Sequence, residues 1–315
     1  ADAEPALAIK DLTVRFEVRS PKLFGGLSGR VHAVEGLNFS IQPGETLALV
    51  GESGCGKSTT GKAIMGLVKP QAGSIRVAGN DLTHAASKEL RRSRQVRQMI
   101  FQDPFSSLDP RMTVGQAIAE PYLVNGKGSA KQADAEVSRL LDAVGLPADM
   151  AARYPHEFSG GQRQRLCIAR ALILSPQLLV ADEAVSALDV SVKAQVINLL
   201  LDLQEKLGFA CLFISHDMAV VERISHRVAV MYLGEIVEIG PRKAVFEAPQ
   251  HPYTRKLLAA IPTPDPAQRR RRELNSEDIP SPFRAIDYQA PLRRYREVAP
   301  GHLVQDHPAF EELSS

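Results

Sequence analysis

Cysteine is scarce in this chain of 315 residues. Cys55, Cys167 and Cys211 are an odd number without a CxxC pair. They support neither a disulfide framework nor a zinc site, and they predict a reducing cytosol. Long apolar runs are missing as well. The longest candidates, Leu47 to Val50 and Phe209 to Ile214, have strand length, far below the roughly 18 residues of a membrane span. The first residues, ADAEPALAIKDLTVRF, lack both the basic and the apolar segments of a secretory leader. Charge of one sign is also nearly absent, since 38 Lys and Arg face 36 Asp and Glu. The surplus of +2 lies wholly in residues 241–315, which hold 12 basic and 10 acidic residues. The basic run Arg269 to Arg272 has no interleaved aromatic to stack on bases, so it reads as a solvated linker or a contact to an acidic partner. Nucleic-acid binding is not expected.

What remains is ordinary globular composition, 44% hydrophobic and 23% charged, with length for one large α/β domain or for a domain plus an extension. Leu7, Ile9, Leu12, Val14 and Phe16 alternate with polar residues and predict a half-buried strand of an antiparallel edge sheet. Residues 19–30 read as a loop. Strands are expected over 31–41 and 46–50, a helix over 60–68, and short strands at 75–77 and 99–101. Residues 112–145 read as mainly helical. Beyond them come a helix over 160–174, a buried strand over 178–181, a helix over 191–207 and a strand over 210–215. Short strands follow at 227–232 and 235–239. Prolines then multiply, leaving one helix around 253–260 in what reads as an appendage.

The strongest motif is Gly51-Glu52-Ser53-Gly54-Cys55-Gly56-Lys57-Ser58-Thr59, a full match to GxxxxGK[ST] between a strand and a helix. Its backbone N–H groups and the helix N-terminus form a phosphate cradle. Lys57 supplies positive charge for the β and γ phosphates, and Ser58 a hydroxyl for Mg²⁺. The strand Leu178 to Ala181 delivers Asp182 and Glu183 at its carboxyl end, where ligands of parallel sheets bind. Asp182 is the candidate Mg²⁺ group, directly or through water. Glu183 is the candidate to orient or deprotonate the attacking water.

Phe158-Ser159-Gly160-Gly161-Gln162 resembles the LSGGQ signature of ATP-binding cassette (ABC) ATPases, with Phe158 in place of Leu. Taken alone, the segment reads equally as a helix N-cap followed by glycines. Gln102 in FQDPFSSLDP resembles the Q-loop, Ser186-Ala187-Leu188-Asp189 the D-loop, and His216 in FISHD the switch histidine. HPYT at 251–254, DIPSPF and VAPGHLV resemble the C-terminal region of bacterial oligopeptide/dipeptide importer ATPases. The resemblance implies an α/β P-loop NTPase fold of RecA-like type, with an antiparallel β edge subdomain and an α-helical subdomain at about 103–165. It implies a nucleotide-binding domain over 1–240 and an extension over 241–315.

It also implies ATP and Mg²⁺ as cofactors, with Ser58, Gln102 and Asp182 at the metal. Lys57, Gln102, Glu183 and His216 would be catalytic, with His216 bridging the γ-phosphate and Glu183. Ser159, Gly160, Gly161, Gln162 and Asp189 would face nucleotide held by another P-loop. Phe16 aligns with the adenine-stacking aromatic, with Phe24 and His32 as rivals and a core phenylalanine as the other reading of Phe16. The implied partners are a second ATPase subunit, identical or paralogous, two transmembrane permease subunits and, indirectly, a periplasmic binding protein. The expected place is the cytoplasmic face of the bacterial inner membrane. Two departures stand out. Ala184 follows the catalytic Glu where the subfamily usually has Pro, and the tail lacks the cysteine cluster that many members carry.

Overall fold

The computed structural model describes residues 4–19, 27–83, 85–104, 107–260, 283–285, 288, 290 and 293–306. Strands β1 (Leu7–Arg19) and β2 (Leu27–Ile41) form a long antiparallel pair. Their ladder reaches into both ends of the expected 19–30 loop, because each added residue gains a cross-strand partner. Along β1 the buried positions slip from Leu7 and Ile9 to Leu12 and Val14. A bulge at Asp11, with φ +50°, makes that switch of face. Asn38 holds it, accepting the Asp11 N–H at 3.0 Å and donating to Asp11 Oδ1 at 2.9 Å.

Strand β3 (Thr46–Val50) is wholly buried and leads through the glycine-rich turn into helix α1 (Lys57–Ile64). The helix begins at Lys57, earlier than expected, and ends at Ile64 rather than 68 because the chain turns at Gly66. Strands β4 (Ala72–Val77) and β5 (Asn80–Asp81) extend the first sheet on the β1 side. Helix α2 (Ser87–Ser93) precedes β6 (Arg97–Ile100). Arg97 is fully buried and donates through Nη1 to the Ile64 carbonyl at the end of α1. Burial lowers its pKa to about 10, so it still offers a cation to the negative end of that helix.

The helical block consists of α3 (Val114–Val124), α4 (Ala130–Ala143) and α5 (Gly160–Leu172). Each starts with the same device. Thr113 and Gln116, Ser129 and Gln132, and Ser159 and Gln162 form capping boxes. Their apolar faces meet in one cluster that includes Ile118, Leu140, Leu141, Leu166 and Ile168.

The chain then returns to the central sheet through β7 (Leu178–Asp182), α6 (Val190–Leu207), β8 (Ala210–Ile214), α7 (Met218–Ile224), β9 (Arg227–Tyr232) and β10 (Glu235–Pro241). Beyond these lie α8 (Arg242–Glu247), α9 (Pro252–Ala259), β11 (Phe283–Arg284), β12 (Arg294–Ala299) and β13 (His302–Asp306). The tail thus has more regular structure than the single helix expected. Its strand β11 joins β2 in the first sheet, and its hairpin closes the free edge of β10, pairing Glu238 with Val304. The eight-stranded order is β12-β13-β10-β9-β3-β8-β7-β6, parallel from β9 to β6. The carboxyl ends of β3, β8, β7 and β6 therefore open on one edge, where such sheets bind ligands.

Candidate active site

That edge carries a cleft of about 630 Å³ lined by Phe16, Val31, Ala33, Ser53, Gly54, Gly56, Lys57, Ser58, Thr59, Gln102, Glu183 and His216. The turn after β3 can form because Gly56 stands at φ +109°. A Cβ there would lie 2.0 Å from the Ala33 carbonyl oxygen, so only glycine fits. Lys57 is buried and folds back on the loop. Its Nζ donates to the carbonyls of Gly51 at 2.9 Å and Glu52 at 2.7 Å, and lies 3.6 Å from Cys55 Sγ. Burial pushes the Cys55 thiol up from its ordinary pKa, against the pull of the nearby ammonium.

Below the loop, Ser58 Oγ donates to Asp182 Oδ1 at 2.9 Å. Burial raises the Asp182 carboxyl above the usual range. The Ser58 hydrogen bond opposes that shift and the adjacent Glu183 adds to it. The Ser58 hydroxyl and the Asp182 carboxylate thus form a compact oxygen pair from two elements.

Glu183 occupies φ +48°, a left-handed conformation uncommon for a residue with a side chain and concentrated at functional sites. Its N–H donates to the Ile214 carbonyl at 3.0 Å, and its carbonyl accepts from Ser186 N–H and Oγ at 3.1 and 2.9 Å. So fixed, its carboxylate receives Gln102 Nε2 at 2.8 Å on one oxygen and stands 3.3 Å from His216 Nδ1 on the other. Ala184 is buried behind it.

Of the three candidate aromatics, Phe16 lines the cleft and is 42% exposed. His32 is instead buried, its Nδ1 2.8 Å from Glu35 Oε1, and its ring meets Tyr288 edge-on. Phe24, like the run at 269–272 and most of DIPSPF, lies outside the described residues.

Ser159, Gly160, Gly161, Gln162 and Asp189 are not among the residues lining this cleft. Ser159 and Gln162 serve the N-cap reading, with Ser159 Oγ accepting the Gln162 N–H at 3.3 Å and Gln162 Oε1 accepting the Ser159 N–H at 3.0 Å. Gly161 lies so close to α6 that a Cβ would meet Val192 Cγ1 at 2.4 Å. Asp189 caps α6, accepting the Val192 N–H at 3.0 Å, which with Ser191 holds its carboxyl below the usual range. The signature thus packs against Leu188 and the start of α6, and none of these residues lines the cleft.

Sequence reasoning missed Tyr253. Its hydroxyl accepts the Glu52 N–H at 3.1 Å across 201 positions of sequence. The HPYT segment carried the signal, but nothing local to it points toward a phosphate loop.

A family model described as ABC transporter matches residues 34–186, and one described as oligopeptide/dipeptide transporter, C-terminal region, matches residues 237–284. The chain is 56% identical over 309 residues to a glutathione import ATP-binding protein, GsiA, of Pectobacterium atrosepticum, covering 98% of this chain and 49% of the relative. It is 57% identical over 304 residues to GsiA of Salmonella typhimurium, covering 96% and 49%. It thus spans about half the length of these curated relatives. Among solved structures, the dimeric bacterial ABC transporter cassette MJ0796 superposes with a TM-score of 0.66 at 26% identity, over 75% of this chain and 98% of that one. A cbiO1 cassette from Clostridium perfringens, part of the cbiONQ complex, gives 0.67 at 27%, over 78% and 92%. The chain belongs to the ABC transporter family as a P-loop nucleotide-binding cassette continued by the C-terminal region of oligopeptide and dipeptide transporters.

Proposed function

We propose that the chain hydrolyses ATP to power import of peptides or related small solutes across the bacterial inner membrane. The observation that carries this is Glu183, held in a left-handed backbone between Gln102 and His216 at the mouth of the P-loop cleft. The residues present fit ATP and Mg²⁺. A glycine-only backbone turn adjoins a lysine that donates to carbonyls, and one hydroxyl and one carboxylate side by side offer the protein oxygens that a phosphate-bound cation needs. Magnesium-bound ATP supplies the phosphoryl group and the electrophilic phosphorus.

Phe16 would face the base, Lys57 would exchange its carbonyls for the β and γ phosphates, and Ser58 with Asp182 would hold the cation, joined by Gln102. Glu183 orients water and takes its proton on a carboxylate oxygen, while His216 steadies that carboxylate and reaches the γ-phosphate. Ser159, Gly160, Gly161, Gln162 and Asp189 do not line this cleft, which supports a head-to-tail pair in which each chain completes the other's site. The second cassette is a copy or a paralogue. Residues 1–240 act as the cassette and 241–315 as an extension. Block 103–165 transmits closure to two permease subunits at the cytoplasmic face, with a periplasmic binding protein delivering the solute.

The named relatives favour glutathione, a small peptide, within the substrate class. The test is ATPase activity of the purified chain, alone and with permease partners. Hydrolysis that requires Mg²⁺ and disappears in Glu183→Gln is expected. Nucleotide binding without turnover in either state would make the chain a nucleotide-holding regulatory subunit instead.

A further inference from the structure

The peptide unit between Gly51 and Glu52 is held at both ends. Its carbonyl oxygen accepts from Lys57 Nζ at 2.9 Å, and its N–H donates to Tyr253 Oη at 3.1 Å. One end of the grip is thus the lysine of the P-loop, and the other comes from the C-terminal region. We propose that Tyr253 is a positioning residue for the nucleotide site, setting the tilt of this peptide and with it the resting place of the Lys57 ammonium.

Tyr253 is suited to that task. It is buried at 5% exposure, and burial pushes its phenol well above the ordinary range, so the hydroxyl stays neutral and accepts the N–H. Its ring packs against Tyr232 at 4.4 Å between centroids, and it shares a core with Ala48 and Val50 of the strand that feeds the loop. The backbone that carries it is pinned as well. His251 caps α9 by accepting the Tyr253 N–H on Nδ1 at 3.2 Å. The fully buried Glu238 of β10 accepts the N–H groups of Gln250 and His251 at 2.9 and 2.8 Å. Its Oε1 also lies 2.7 Å from His302 Nε2 in the C-terminal hairpin. Position therefore passes from the hairpin through Glu238 and α9 to the phosphate loop by direct contacts.

The consequence is a tuning of phosphate affinity by the C-terminal region. Without the hydroxyl, the Glu52 N–H loses its partner and the Gly51–Glu52 peptide is free to rotate. Lys57 then no longer starts from the place that the loop sets for it. The inference rests on the reading of the cleft as an ATP site, and the experiment separates the two.

In the full chain, a fluorescent ATP analogue, ATP, ADP and adenosine are titrated against the parent, Tyr253→Phe and Tyr295→Phe. Tyr295 is the control because its hydroxyl, also in the tail, donates to the Ile236 carbonyl at 2.7 Å and is not part of the phosphate loop. Tyr253→Phe keeps the ring, so melting temperature should stay near the parent's. Affinity for ATP and ADP should fall together by roughly 3- to 10-fold, as for one hydrogen bond, with adenosine binding unchanged. Tyr295→Phe should bind all ligands as the parent does. Unchanged ATP affinity in Tyr253→Phe, an equal loss in Tyr295→Phe, or an equal loss for adenosine overturns the positioning role while leaving the ATP site intact. Failure of the parent itself to bind ATP overturns the site reading instead.

Discussion

Gln102 donates to one carboxylate oxygen of Glu183 at 2.8 Å, while His216 Nδ1 stands 3.3 Å from the other. The carboxylate therefore has both oxygens oriented before any substrate arrives. Gln102 follows β6, Glu183 follows β7 and His216 follows β8, so the edge where three parallel strands end sets their spacing. Such preorganisation costs no rearrangement at the moment of reaction.

If Glu183 takes the proton, Glu183→Gln keeps the shape and removes the base. Turnover should fall roughly 100- to 10,000-fold. ATP should still bind, and the paired state should accumulate in size-exclusion chromatography with ATP. Parent-rate hydrolysis in this variant would remove Glu183 from the role assigned to it.

The cassette motifs were legible in the sequence because each is a local pattern whose chemistry depends on spacing along one turn. Gly56 and Lys57 are neighbours at the start of α1, and Glu183 directly follows Asp182 at the end of β7. Distant pairings were not legible. Tyr253 reaches Glu52, and His302 reaches Glu238, only because α9 and the hairpin pack on β9 and β10, and no periodicity in a proline-rich tail encodes that. The bulge at Asp11 was hidden for a different reason. It shifts the apolar face from odd to even positions, which blurs the alternation that reveals a strand.

Gly161→Ala tests whether the signature works in another chain's site. The new Cβ would stand 2.4 Å from Val192 Cγ1, so the start of α5 must move away from α6. A displacement near 1 Å at a phosphate-contacting turn lowers turnover by roughly 10- to 100-fold. ATP affinity of the isolated cassette should not change, since the P-loop is elsewhere. Equilibrium titration and steady-state ATPase assays read the two separately, and a matching loss of both would refute the division into half-sites.

Asp182 links the site to pH. Burial raises its carboxyl above the ordinary Asp value, so the folded chain holds that proton more tightly than the unfolded chain does. Its ionisation therefore costs stability, and the cost appears as pH rises from the unfolded value through the raised folded value. Asp182→Asn removes the charge, so at neutral pH the nucleotide-free variant should melt a few degrees above the parent. The gap should close in acid below the ordinary Asp range. The same variant should need much more Mg²⁺ for hydrolysis. A melting temperature below the parent's at pH 7 would contradict the burial argument.

Glu238 tests how firmly the C-terminal region is joined to the cassette. Its side chain is 0% exposed and meets three groups: the N–H of Gln250, the N–H of His251 and Nε2 of His302. Glu238→Ala leaves all three without this partner and opens a void between β10, α9 and β13. The expected loss is about 3 kcal/mol in urea unfolding, the upper scale for leaving buried polar groups without a hydrogen-bond partner. Glu238→Gln keeps one acceptor oxygen and should recover part of that loss. Both variants should also weaken ATP binding, because α9 places Tyr253 against the phosphate loop. A loss in Glu238→Ala below about 0.5 kcal/mol, the scale of a surface change, would mean that the hairpin and α9 do not depend on this carboxyl group.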